Sequence, residues 1–217
     1  MGIELAKKAL ALPLVFDSYQ ALIGAPECHR HFIHDVVQPQ AGERVLDIGC
    51  GVGASVRYMP DGVDYVGIDV SEPYIVKAKA DYGERGKFIC ADVAKVGSAA
   101  LGTFDRAFSF GVLHHLPDAV AVETVEFVRR VVKPGGLFAT IDPCHVPRQN
   151  PIAKLLIDHD RGRFVRSQSE FERIVSPLGQ VHAEIHHDLL RVPFTQVVMR
   201  VAVTREAGTE RSAKAAR

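Results

Sequence analysis

With 217 residues, 47% of them hydrophobic and 24% charged, the chain has the composition of one globular domain with a proper core, which excludes disorder over most of its length. Its 26 basic and 26 acidic side chains cancel, so no overall field draws it to nucleic acid or an anionic bilayer, and neither is expected as a partner. Cys28, Cys50, Cys90 and Cys144 stand far apart, without zinc-site spacing or the density of a disulfide scaffold, and read as reduced thiols in a cytoplasm.

The opening MGIELAKKALALPLVF places two lysines before a short apolar segment, but no small-residue cleavage site follows it, and no run approaches the roughly 18 apolar residues of a membrane span. A cytoplasmic protein without a membrane partner is expected. Residues 1–38 have a helical pattern, with Phe32, Ile33, Val36 and Val37 on one stripe, and form an N-terminal cap. From Arg44 onward, short runs rich in Val, Ile and Phe alternate with helical segments, the signature of βαβ units in a parallel sheet. The strands are RVLDI (44–48), DYVGIDV (64–70), KFICAD (87–92), FDRAFSF (104–110) and GLFATID (136–142). Pro60-Asp61-Gly62 keeps the first helix short, Ser71 caps the second ahead of Pro73, and Pro134-Gly135-Gly136 ends the helix that carries Val125, Val128, Val131 and Val132.

Beyond residue 142, Asn150-Pro151 opens one helix and the capping box Ser167-x-x-Glu170 a second. QVHAEIHH (180–187) and TQVVMRVAV (195–203) leave no room for a helix between them and pair as an antiparallel edge hairpin. One domain over 1–204 results: a helical cap or lid (1–38), a cofactor-binding core (44–142), a substrate-side helical insertion (143–179) and the hairpin (180–203). Residues 205–217 lack apolar periodicity and read as a mobile tail.

Glycines between a first strand and a helix serve where a ligand lies against the backbone, because a Cβ would block its approach. Gly49-Cys50-Gly51-Val52-Gly53 is such a loop. Gly49-x-Gly51-x-x-Ala54, with Asp69 twenty residues beyond Gly49, also satisfies the dinucleotide fingerprint, so the loop alone leaves a nicotinamide-dependent oxidoreductase open. Tyr74 and Lys77, the pair of one dehydrogenase class, follow the second strand directly and read as a helix surface.

The fuller set is Asp47 before the glycines, Asp69 closing strand two, Ala91-Asp92-Val93 closing strand three, FSFGVLHHL (108–116) after strand four, and VKPGG (132–136). In this order the chain resembles the class I S-adenosylmethionine-dependent methyltransferases, in particular the small-molecule branch with the LHHL segment, over about residues 44–142 and more weakly over 180–203. The resemblance implies an α/β, Rossmann-like, doubly wound sheet of seven strands in the order 3-2-1-4-5-7-6, mostly parallel with an antiparallel seventh strand. It also implies S-adenosylmethionine over the carboxyl ends of the first strands. Asp47 and Gly49 then meet the methionine end within the loop that includes Cys50, and Gly51 and Gly53 make room. Asp69, followed by Val70, accepts the ribose hydroxyls, Asp92 and Val93 meet the adenine edge, and Phe110 and Gly111 border the sulfonium. Phe16-Asp17-Ser18-Tyr19 resembles the segment that covers the cofactor in related enzymes, with Tyr19 presented to it.

Methyl transfer from a sulfonium needs mainly alignment of donor and acceptor, and a base helps a hydroxyl acceptor. His115, Asp142 and His145, after strands four and five, are the candidate bases. No metal is expected, since Ser109 and Phe110 stand where ligating carboxylates would be. The groups Cys28-His29-Arg30-His31 and His186-His187 read as helix surface and strand face. Arg161, Arg163 and Arg166 concentrate charge near the expected pocket rim and suit a carboxylate or phosphate on the acceptor. A small-molecule acceptor methylated on oxygen or nitrogen, with an anionic hydroxyl compound preferred, is the leading expectation. A nicotinamide enzyme and a non-catalytic cofactor-binding partner protein are the alternatives.

Overall fold

The computed structural model describes residues 23–93, 95–97, 101–160 and 162–204. The expected lid with Tyr19, the tail and Arg161 lie outside the described residues. Strands β1 (Arg44–Ile48), β2 (Asp64–Asp69), β3 (Lys87–Cys90), β4 (Phe104–Phe110), β5 (Val132–His145), β7 (Val181–His186) and β8 (Gln196–Ala202) form one sheet in the order β3-β2-β1-β4-β5-β8-β7. β8 is antiparallel to both neighbours and the pairs among β1 to β5 are parallel, as expected of the fold. A two-residue strand, β6 (Arg166–Ser167), was not anticipated; it pairs with Cys144 and His145, beyond the point where β8 leaves β5 at Pro143.

Because side chains alternate along a strand, both faces of a parallel sheet need cover. Leu46, Ile48, Ile68, Phe104 and Phe138 turn to the face covered by α3 (Asp118–Val131) and α5 (Gln168–Val175), where Phe127, Val128 and Phe171 are buried. Val45, Tyr65, Phe88, Phe108 and Ile141 turn to the other face, covered by α1 (Ala25–His31), a π-helical turn (Phe32–Val37) and α2 (Glu72–Tyr82). The stripe Phe32, Ile33, Val36 and Val37 is buried there, and Arg106 from β4 ties the end of the turn down by donating to Val37 O at 2.8 Å.

Two boundaries differ from expectation. α3 stops at Val131, and Pro134-Gly135-Gly136 lies within β5, where a register shift opposite Phe104 and Arg106 absorbs it; the turn chemistry makes a bulge and not a helix cap. The insertion is only partly on the ligand side. α4 (Pro151–Asp158) begins where Asn150 Oδ1 accepts the Ile152 N–H at 2.8 Å, but α5 is a core helix packed on α3. At its start Glu170 Oε2 accepts the Ser167 N–H at 2.8 Å and the Ser167 hydroxyl at 2.6 Å.

Since Phe171 is wholly buried between α3 and the sheet, Phe171→Ala should cost about 3–5 kcal/mol of stability by urea denaturation, the range for an aromatic deleted from a core.

Candidate active site

The carboxyl ends of β1, β2, β3, β4 and β5 gather the candidate residues along one edge of the sheet. After β1 the chain turns through glycines with positive φ, and fewer of them have open space beside them than the spacing suggested. Gly51 has φ +53 and open space where a Cβ would stand, as a ligand surface requires. A Cβ on Gly53 would come within 2.7 Å of Phe88 and 3.1 Å of Ala78, so this glycine serves contact of the loop with β3 and α2, not room for cofactor. Gly49 is likewise shut against Val112 and its N–H goes to Ile68 O at 2.8 Å. The Cys50 thiol turns inward against Gly67, and burial pushes its pKa up; its N–H is also taken by Ile68 O.

Asp69 ends β2 and accepts the N–H of Gly51 at 2.9 Å and that of Ser71 at 2.8 Å, binding the loop after β1 to the start of α2. Ser71 occupies the cap position without a side-chain capping bond. Beside Asp69, Val70 is 72% exposed, an apolar surface at the edge where the ribose and adenine are expected. Asp92 is half-buried, ion-paired to Lys95 at 3.1 Å, and followed by half-buried Val93.

Asp47 is buried, as an acid pointing from β1 toward Tyr65 must be; Tyr65 donates its hydroxyl to Asp47 Oδ2 at 2.6 Å. Burial drives its pKa up to about 7 against the hydrogen bonds from Tyr65 and Ser55, with the charge of Asp69 adding to the rise. On the same face His29 stacks on Phe110 with ring centroids 4.1 Å apart, and its Nε2 lies 2.9 Å from Ser55 Oγ. Burial first, and the charge of Arg57 second, lower its pKa to about 4, so this imidazole is neutral. Cys28 is buried too, with its Sγ 3.8 Å from Gln196 Oε1. Reading Cys28 and His29 as helix surface was therefore mistaken. They precede Phe32 by four and three residues, on the same buried stripe, so the helical period already contained the signal.

The opposite face carries a second polar group. Gly111 follows β4 with φ +67, and the short 3₁₀ turn Leu113–His115 buries His114 while leaving His115 exposed. Asp142 Oδ1 accepts the His114 backbone N–H at 3.1 Å and faces its ring Nδ1 at 2.8 Å. Asp142 is wholly buried, with Oδ1 on His114 and Oδ2 without a hydrogen-bond partner among the described residues. His114 Nε2 lies 3.1 Å from Asp160 Oδ2. Burial alone would lower the His114 pKa, but the bonds to Asp142 and Asp160 outweigh it and raise it to about 9. His145, at the end of β5, is half-buried with Nδ1 3.5 Å from Gln149 Oε1. The sequence favoured His115 over His114 because adjacent positions of a short turn cannot be told apart by period.

Of the three arginines expected at the rim, Arg166 is committed elsewhere. It is buried, and its guanidinium donates to Leu113 O, Leu116 O, Phe164 O and Asp118 Oδ1. Arg163 is exposed. Arg148, not singled out in the sequence, has φ +55 and lines a recess of about 340 Å³ with Gln149, Ala153, His187, Phe194 and Thr195. The recess lies where the chain leaves β5, against the connection between β7 and β8.

A family model described as a methyltransferase domain matches residues 45–136. The chain is 35% identical to ubiquinone biosynthesis O-methyltransferase of Thiobacillus denitrificans over 159 residues, covering 67% of each protein. It is 31% identical to 24-methylenesterol C-methyltransferase 2 of Oryza sativa over 54% of this chain, a match that spans only 34% of the rice protein. Among solved structures, phosphoethanolamine N-methyltransferase 2 of Haemonchus contortus, in complex with phosphomonomethylethanolamine and S-adenosylhomocysteine, shares the fold at a TM-score of 0.64 and 16% identity. That likeness covers 81% of this chain and 52% of the other. The chain belongs to the class I S-adenosylmethionine-dependent methyltransferases. Its cofactor is S-adenosylmethionine, and the nicotinamide reading that the glycine spacing left open falls away.

The different surroundings of the glycines separate binding from folding. Both Gly51→Ala and Gly53→Ala put a side chain at positive φ, which costs roughly 1–2 kcal/mol. Gly53→Ala should lose further stability in thermal denaturation from the clash with Phe88, whereas Gly51→Ala should weaken cofactor binding in calorimetry without that added loss.

Proposed function

We propose that this methyltransferase moves the methyl group of S-adenosylmethionine to an oxygen or nitrogen of a small molecule, with a hydroxyl compound that carries an anionic group as the preferred acceptor. The observation that carries the cofactor placement is the Asp69 carboxylate beside Gly51, with exposed Val70 next to it at the ends of β1 and β2. A ribose diol laid there meets an acceptor-only group, and the open side of Gly51 admits the methionine portion. Asp92 and Val93 offer the adenine edge its partners, and Phe110 with Gly111 borders the sulfonium.

For the acceptor, support comes from the recess beyond β5. Arg148 supplies a cation to its lining, in place of the buried Arg166, and Gln149, which also lines it, lies 3.5 Å from His145 Nδ1. The net-neutral chain and the O-methyltransferase relative of comparable span favour a small hydroxyl compound over a polyanion. Methyl transfer places the reacting atoms in line and leaves the base an auxiliary role, so His145 would take the hydroxyl proton as the bond to the methyl group forms.

Asp69→Ala should lose about 1.5–3 kcal/mol of cofactor affinity, the scale of hydrogen bonds to a charged group. Calorimetry on a folded variant that binds as the parent does would remove Asp69 from the site. Asp47 adds a pH signature. Its folded pKa of about 7 lies above the usual carboxylate value, so between about pH 4 and 7 the folded chain holds a proton the unfolded chain has released, and the stability it lends declines as pH rises through that window. A cofactor ammonium near Asp47 favours the ionised form, so affinity should strengthen from about pH 5 to 7 and then level off; Asp47→Asn should flatten this profile. Once screening yields an acceptor, Arg148→Ala should raise its KM with cofactor affinity unchanged, and His145→Gln should lower kcat with its pH dependence lost. Unchanged kinetics in both variants would move the acceptor away from this recess.

A further inference from the structure

The Asp142–His114–Asp160 group, with His115 beside it, carries chemistry that methyl transfer by alignment does not use. His114 presents Nδ1 to a buried carboxylate and Nε2 to a second carboxylate that arrives from a loop 46 residues farther along the chain. The ring of His115 lies 4.1 Å from that of His114. Ligand atoms of His114, His115 and Asp160 all fall within 4.8 Å of one another. On a tetrahedral ion with ligands about 2.0–2.2 Å away, neighbouring ligand atoms stand roughly 3.3 Å apart, so the 3.1 Å between His114 Nε2 and Asp160 Oδ2 already has the spacing of two ligands of one cation.

The surroundings have the form of a metal site's supporting shell. A histidine ligand commonly donates its other ring N–H to a carboxylate, which fixes the tautomer and aims the free nitrogen at the ion. Asp142 does this for His114, and it also accepts the His114 backbone N–H, so the ring has no freedom to turn away. The Asp160 loop closes onto the imidazole only because residue 162 is glycine: a Cβ there would fall 1.9 Å from His114 Cδ2. Gly162 in turn donates its N–H to Asp160 Oδ2 at 3.2 Å.

We propose that His114, His115 and Asp160 bind one divalent transition-metal cation of the zinc or cobalt class, with Asp142 as the carboxylate that orients His114. Two imidazoles and one carboxylate are borderline donors suited to such ions and leave a coordination position for solvent or an oxygen of a bound molecule. On binding, the ion takes the place of the proton that now joins His114 Nε2 to Asp160, and that proton goes to solvent. The site lies next to Gly111: a Cβ there would stand 3.7 Å from His114 Cε1. The binding of the ion does not depend on the acceptor reading above.

The test uses the full chain stripped of metal with a chelator, with no methyl donor or acceptor present. Zn²⁺ titration by calorimetry should show one tight equivalent, and Co²⁺ should give the visible d–d bands of a low-symmetry site. His115→Ala and Asp160→Ala, both at exposed positions that leave the core intact, should each weaken Zn²⁺ at least about tenfold and remove the Co²⁺ bands. His182→Ala, on exposed β7, controls for surface histidines and should bind as the parent does. No Zn²⁺ or Co²⁺ binding by the parent, or binding that survives both variants unchanged, would overturn the proposal. A metal bound with one equivalent in a chain that methylates no acceptor would sustain it while the acceptor reading fails.

Discussion

The Asp69 carboxylate is the point on which the carboxyl edge of the sheet depends. It takes one N–H from the loop after β1 and one from the start of α2, and these two bonds extend to α2 the tie that Gly49 and Cys50 make from the loop to Ile68 O. A parallel sheet ends each strand with a chain reversal whose backbone groups lack ladder partners, and an acid at a strand end supplies acceptors without a new element of structure. The same residue thus has a structural task before any ligand arrives. Any donor brought to Asp69 must share the carboxylate with Gly51 and Ser71 or displace one of them, so occupancy of its two oxygens and the conformation of the loop are linked.

The two faces of the carboxyl edge handle buried charge in opposite ways. On the α1 side, Asp47 is buried and its proton is held to about pH 7; His29, half-buried, is neutral because desolvation and the charge of Arg57 both oppose its protonation. On the α3 side, His114 is buried between two carboxylates and stays charged, its pKa raised to about 9. The α1 face is therefore left without a buried cation at His29, while the α3 face holds one at His114. The stacked rings of His29 and Phe110 give the α1 face an aromatic wall beside Asp47 and Ser55.

The order of the sheet and its strand limits were legible because apolar runs bounded by turn residues report burial on both faces, and that is a local property. β1 and β4 begin and end where their runs do. The glycine loop and the acids at the ends of β1, β2 and β3 were equally legible, as positions. What each does was less so. Gly53 and Cys50 belong to packing, because the residues they meet, Phe88 and Gly67, come from strands 35 and 17 residues away, and no spacing within the loop reveals that. His114 and Asp160 are joined only by the return of the loop before β6, while β6 itself is two residues long and has no pattern of its own. Asp142 was visible as a residue after strand five; its burial came from β5 running on to His145, farther than its apolar run.

Arg166 explains why that return is so well defined. Its guanidinium spreads its donors over Leu113 O, Leu116 O, Phe164 O and Asp118 Oδ1, so one side chain ties the segment entering α5 to both ends of the turn that carries His114 and His115. A planar fork can satisfy several carbonyls at once; a lysine ammonium on a flexible stem cannot hold the same geometry. The turn after β4 is thereby held by Asp142 from β5 through the His114 ring and backbone, and by Arg166 through the carbonyls on either side. Neither clamp needs the other's partners, so the histidine pair is fixed by two elements that diverge after Cys144 and His145 and meet again at Arg166 and Ser167. The charge that the sequence places at a pocket rim is, at Arg166, spent on holding backbone carbonyls, and the buried guanidinium is part of the frame of the fold.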